Sequence, residues 1–127
     1  MNNKTLRDRI LKLKRDTNLI SYSPILSSLK VEFIEKIELE AENAKMRQDN
    51  NSFFKDAYEK MLTYIEQCEK DIKSQSLISL KDFYYEVYIY SKLNSLFLIE
   101  KVPETSTKSP DFKIRFNNSD VFIEVKS

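Results

Sequence analysis

This chain reads as an α+β protein: N-terminal helices, then one more helix and a small sheet of three strands. Three observations predict it. Apolar residues recur at three- and four-residue steps through the first three quarters of the chain. The period then falls to two, in Phe112, Ile114, Phe116 and again in Val121, Ile123, Val125. Between those two runs sits Asn117-Asn118, a residue pair that tolerates the positive φ of a tight hairpin turn.

Taken in order, Leu6, Ile10 and Leu13, with Leu19 beyond, give a short amphipathic start. Ser23-Pro24 reads as a cap followed by proline at the first helical position. Behind it, Ile25, Leu26, Leu29, Phe33, Ile34, Ile37 and Ala41 form one helical stripe. The polar break Asp49-Asn50-Asn51-Ser52 ends that helix and offers the next cap. From there Phe53, Phe54, Ala57, Tyr58, Met61, Leu62, Ile65, Cys68 and Ile72 make another stripe, and a thiol inside it is a packed core residue. A fourth helix opens at Ser79, with Asp82 as its capping-box partner, and carries Phe83, Tyr84, Val87, Tyr88 and Glu86. Leu96-Phe97-Leu98-Ile99 then reads as a buried strand, followed by a polar loop over residues 104–109 and the hairpin. The division that follows is a helical region, 1–76, and a helix-plus-sheet region, 77–127.

With 127 residues, 41% hydrophobic and 32% charged, the composition is that of one globular unit with a real core. No apolar run approaches the ~20 residues that span a bilayer, so no membrane partner is expected. The N-terminus is too basic for a signal peptide and Cys68 is the one cysteine, so the expected home is the cytoplasm. There is no histidine and no glycine. The first absence removes Ser-His and Cys-His catalysis and histidine-bearing zinc sites; the second removes Walker-type and dinucleotide-binding loops. Carboxylates, lysine and tyrosine remain. Net charge is +1, but Lys4, Arg7, Arg9, Lys12, Lys14 and Arg15 crowd the start, and Glu32, Glu35, Glu38, Glu40 and Glu42 follow. The basic run is either a solvated helix face or a set of phosphate contacts.

The hairpin carries the chemistry. A two-residue turn at Asn117-Asn118 puts Asp111 opposite Glu124; a four-residue turn puts Asp111 opposite Lys126 and Lys113 opposite Glu124. Either way Asp111, Glu124 and Lys126 share one face, and the apolar residues share the other. Two facing carboxylates repel unless a cation lies between them, which is the physical case for Mg²⁺ or Mn²⁺. Lys126 then stands where it can orient or deprotonate a water, or steady charge developing on a phosphoryl group. The plainer reading is an exposed hairpin face whose Glu–Lys pair contributes less than about 1 kcal/mol.

Pro110-Asp111, then Glu124-Val125-Lys126, behind a helix bearing Glu86, resembles the PD-(D/E)XK nuclease superfamily over about residues 79–127. That resemblance implies part of a restriction-endonuclease-like core and a metal-dependent nuclease hydrolysing DNA phosphodiester bonds. It assigns Asp111, Glu124 and Glu86 to the metal, with the Val125 carbonyl as a further ligand, and Lys126 to the nucleophilic water. It also implies a helix and strand after Glu-x-Lys. The expectation is therefore a fragment of a longer protein, a partner chain or second copy that completes the sheet, or a catalytic fold that has decayed. Residues 1–76 would serve DNA contact or assembly. The competing reading is a non-catalytic helical module that binds protein or nucleic acid.

Overall fold

The computed structural model describes residues 5–16, 23–70, 74–103 and 109–126. Lys4, Leu19, Ile72 and most of the polar loop before Ser109 lie outside them. The contacts divide the chain into two compact units, Met1–Tyr84 and Tyr85–Ser127. That division falls inside a helix, further along than the boundary at 76 and 77 that composition suggested.

The first unit is built from α1 (Leu6–Asp16), α2 (Ser23–Ser28), α3 (Val31–Met46), α4 (Phe53–Lys70) and the opening turns of α5 (Ser74–Asn94). Helix α1 starts where Thr5 Oγ1 accepts the Asp8 N–H at 3.1 Å and Glu38 Oε2 accepts the Leu6 N–H at 3.2 Å, two of the donors a helix start leaves unsatisfied. Leu6, Ile10 and Leu13 are buried, as their spacing requires. Helices α3 and α4 pack together, and α1 lies against both. Their buried rows are Ile34, Ile37, Ala41, Ala44 and Ala57, Met61, Ile65, Cys68. Ser52 caps α4 through its Oγ, which accepts the Lys55 N–H at 3.3 Å.

Three expectations are corrected. The stripe from Ile25 to Ala41 is two helices, because Ser28 Oγ turns back on the Ile25 carbonyl at 2.6 Å and Lys30 is extended, with ψ 121°. The Tyr84 hydroxyl accepts the Lys30 N–H across this break, at 3.1 Å. Helix α5 begins at Ser74 instead of Ser79, since Leu77 and Leu80 are fully buried and extend the stripe that Phe83 and Tyr84 continue. Of the run Leu96–Ile99 only Ile99 enters a strand: the N–H groups of Leu96 and Phe97 both donate to the Leu93 carbonyl, closing the helix, and Leu96 and Leu98 are 73% and 83% exposed.

Without glycine, the chain closes α3 with a side-chain-bearing residue in the left-handed region. Gln48 has φ 57°, its N–H donates to the Lys45 carbonyl at 3.1 Å, and the Asp49 N–H reaches the Ala44 carbonyl at 2.9 Å. This is the Schellman arrangement, in which glycine is the usual occupant.

The second unit holds the rest of α5 and an antiparallel sheet of β1 (Ile99–Lys101), β2 (Phe112–Phe116) and β3 (Ser119–Ile123), in the order β1-β2-β3. Phe112 and Ile114 are its buried centre, and Tyr90 of α5 meets the Phe112 ring at 5.5 Å. The mixed α+β class is therefore as expected.

Candidate functional site

Asn117 and Asn118 have φ 49° and 64°, the double left-handed turn that matches the twist of a two-residue hairpin. The strand register follows: Phe116 faces Ser119, Ile114 faces Val121, and Phe112 faces Ile123. The paired ladder ends there, with Asp111 and Glu124 the next residues beyond it on the two strands, and the Asp111 N–H turned to the Ile123 carbonyl. Of the two turns compatible with the pattern, the structure takes the shorter one.

Asp111 does more than end a strand. Its carbonyl accepts the Val102 N–H at 3.1 Å on one side, and its N–H donates to the Ile123 carbonyl at 2.9 Å on the other. Its Oδ2 accepts the Val125 N–H at 2.7 Å. Pro110 has no N–H to donate to the outgoing strand, and the Asp111 carboxylate makes a different tie to it, as the acceptor for the Val125 N–H. A carboxylate has about four lone-pair sites, so one such bond leaves it able to take a cation as well.

Glu86 is placed differently. Its Oε1 lies 2.6 Å from Lys101 Nζ, and both side chains are largely shielded. Lys101 is on the apolar face of β1, in register with Phe112, and its ammonium stands 5.2 Å from that ring's centre. The sequence reading missed Lys101; its only signal was a lysine two positions after Ile99, on the inward phase of the strand. Glu86 thus meets a cation supplied by the chain itself and is not gathered with Asp111 and Glu124.

Glu124 and Lys126 are exposed and Val125 is half-buried. Lys113 pairs with Glu100 at 3.4 Å and Arg115 with Asp120 at 3.3 Å, which accounts for the rest of the sheet's polar face. Among the described residues, no group of three or more His, Cys, Asp or Glu side chains is placed to hold a metal ion. The three-carboxylate set is therefore not assembled. What remains, Asp111 and Glu124, fits by chemistry a Mg²⁺ ion that keeps most of its waters and takes one or two protein carboxylates.

The basic run is largely spent inside its own unit. Arg7 Nε meets Glu35 at 2.7 Å, Arg9 makes a two-pronged contact with Glu69, and Lys14 Nζ donates to the Leu29 carbonyl at 2.7 Å. Burial, with Lys30 nearby, pulls the Lys14 ammonium below its ordinary pKa. The basic start and the acidic segment behind it are thus partly complementary faces of one helical packing. Lys12 and Arg15 stay exposed, and Lys4 lies outside the described residues.

Comparison with protein-family models, with curated proteins and with solved structures finds no match to this chain.

Proposed function

We propose that the second unit carries a metal-dependent phosphodiesterase centre of the PD-(D/E)XK, restriction-endonuclease-like kind, acting on DNA. The observation that carries this reading is the hairpin register: the ladder ends at Phe112 facing Ile123, so Asp111 and Glu124 leave it side by side at the same end, with Lys126 two residues on. Asp111 and Glu124 would hold Mg²⁺ or Mn²⁺, with the Val125 carbonyl as a neutral ligand. Such an ion, when bound, polarises a phosphoryl oxygen and lowers the pKa of its water. The Val125 N–H fixes the Asp111 carboxylate before any ligand arrives, so the site is partly preorganised. Lys126 would orient the attacking water and offset charge growing on the phosphate. Lys101 keeps Glu86 neutralised, which makes Glu86 a supporting residue in this arrangement. On the first unit, Lys12 and Arg15 would supply phosphate contacts, while Arg7, Arg9 and Lys14 hold α1 in place.

The test is cleavage of double- and single-stranded DNA by the whole chain, with Mg²⁺, with Mn²⁺ and with chelator. Lys126→Ala and Asp111→Asn should each lower cleavage by about two orders of magnitude or more while the melting temperature in chelator barely changes. Equal cleavage by Lys126→Ala, or cleavage indifferent to chelator, would reject this reading. A second reading, a non-catalytic binding module, draws on the internal use of Asp111 and Glu86. It predicts no metal-dependent cleavage under any condition and no metal-induced rise in melting temperature.

A further inference from the structure

We propose that the outer edge of β3 pairs with the same edge of a second copy of this chain, as an antiparallel, two-fold strand pair centred on Ile123. β3 is last in the order β1-β2-β3, so one side of it meets β2 and the other meets no strand among the described residues. The hydrogen bonds say which residues point where. The Arg115 N–H of β2 bonds to the Leu98 carbonyl beside β1, and Phe116 and Ser119 close a two-residue turn, so Ile114 and Phe116 bond to β3, while the Asp111 N–H takes the Ile123 carbonyl at the ladder's end. Their partners Ile123, Val121 and Ser119 face inward, which turns the main-chain groups of Asp120 and Phe122 outward. The devices that usually blunt such an edge, a proline, a bulge or an inward charge, are missing from Ser119–Ile123. Val121 and Phe122 are 41% and 59% exposed along it.

Few registers are open to a two-fold pair. A slip of one residue sets Val121 and Ile123 against residues of the polar face, so the centre must fall on a residue. Centred on Phe122, each Asp120 faces a Glu124. Centred on Glu124, that carboxylate faces itself. Centred on Val121, no charge gains a partner. Centred on Ile123, each Asp120 faces Lys126 of the second copy, Val121 faces Val125, Phe122 faces Glu124, and Ile123 faces itself. Of these four registers, this one sets opposite charges at both ends, keeps Val121, Ile123 and Val125 together on the apolar face, and places the outward groups of Asp120 and Phe122 in the hydrogen-bonded positions, with residues 124–126 extending β3 in the pair. Asp120 already meets Arg115 at 3.3 Å, so the new contact makes a row of alternating charge across the joined sheets. A closed two-fold pair uses up the edge, so assembly stops at two.

A strand pair this short has a small interface, and a dissociation constant in the micromolar range is expected. The experiment is sedimentation equilibrium of the whole chain from about 1 to about 300 µM, without DNA or metal, beside Asp120→Lys, Lys126→Asp and the double exchange. The wild type should reach dimer mass, each single reversal should stay monomeric, and the double exchange should return to dimer. Phe122→Pro, which removes an outward N–H that the hairpin does not use, should also be monomeric with unchanged circular dichroism. A wild type that is monomeric throughout, a single reversal or Phe122→Pro that still dimerises, or a double exchange that stays monomeric would each overturn the pairing. Because the readout is mass alone, its failure leaves the cleavage reading standing.

Discussion

Asp111→Ala separates what the carboxylate does for folding from what it would do for chemistry. Removing it deletes the 2.7 Å bond from the Val125 N–H and leaves that donor facing a methyl group. A hydrogen bond to a charged acceptor contributes about 1.5–3 kcal/mol, and partial exposure discounts this one to about 1–2 kcal/mol. For a chain of this size each kcal/mol moves the melting temperature by roughly 3–5 °C, so a fall of about 3–10 °C is expected. Asp111→Asn keeps an acceptor oxygen in the same place and should cost less than about 1 kcal/mol. Both belong in chelator, so that no bound ion contributes, with thermal unfolding followed by circular dichroism and exchange of the Val125 amide followed by NMR. Faster exchange at Val125 in the alanine variant, and little change in the asparagine variant, is the expected pair. Equal destabilisation by both would mean that charge, not the acceptor, matters; no destabilisation by alanine would mean that the bond is not made in solution.

Three further outcomes follow from other residues. Lys101→Met and Glu86→Gln should each destabilise by about 1–2 kcal/mol, and the double-mutant cycle should return a coupling near 1 kcal/mol, measured by urea unfolding; additive losses would dissolve the pair. Gln48→Gly should raise stability by about 0.5–1 kcal/mol in the same assay, because glycine relieves the left-handed backbone at φ 57° that the Schellman turn demands; a loss would show that the Gln48 side chain makes up for the strain. Burial, reinforced by the Glu69 carboxylate, pushes the Cys68 thiol up from 9.0 to about 11. The unfolded chain gives up that proton near pH 9 while the folded chain keeps it, so stability should fall between about pH 9 and pH 11, by up to about 2–3 kcal/mol. Cys68→Ala, compared at pH 8 and pH 11, should show a flatter profile, and native Cys68 should resist thiol reagents until the chain unfolds.

The parts of this fold that were legible are those where one periodicity governs. Ala57, Met61, Ile65 and Cys68 recur at helical steps, and all four are buried. Asn117-Asn118 set the hairpin register because few residue pairs accept two positive φ angles. What could not be read came from competition between local and distant partners. Ser28 breaks a helix that the apolar pattern would continue, by bonding to its own preceding turn. Leu96 and Leu98 are as apolar as any core residue, yet the close of α5 sets them outside. At the candidate site, spacing named Asp111, Glu124 and Lys126, but it could not show that Glu86 is met by Lys101, because the two lie fifteen positions apart on different elements.

The triple engagement of Asp111 bears on how this position can change over evolutionary time. A carboxylate that ties two strands together and that the proposed chemistry also needs is held by two separate pressures. If cleavage ceased to matter in some descendant, selection on folding would still act against most replacements, because few side chains offer an acceptor at that reach. Asparagine would be the easy exit, and its appearance at position 111 would mark lost chemistry in a fold still maintained. The persistence of aspartate there would testify to the hairpin first and to catalysis only when Lys126 persists with it.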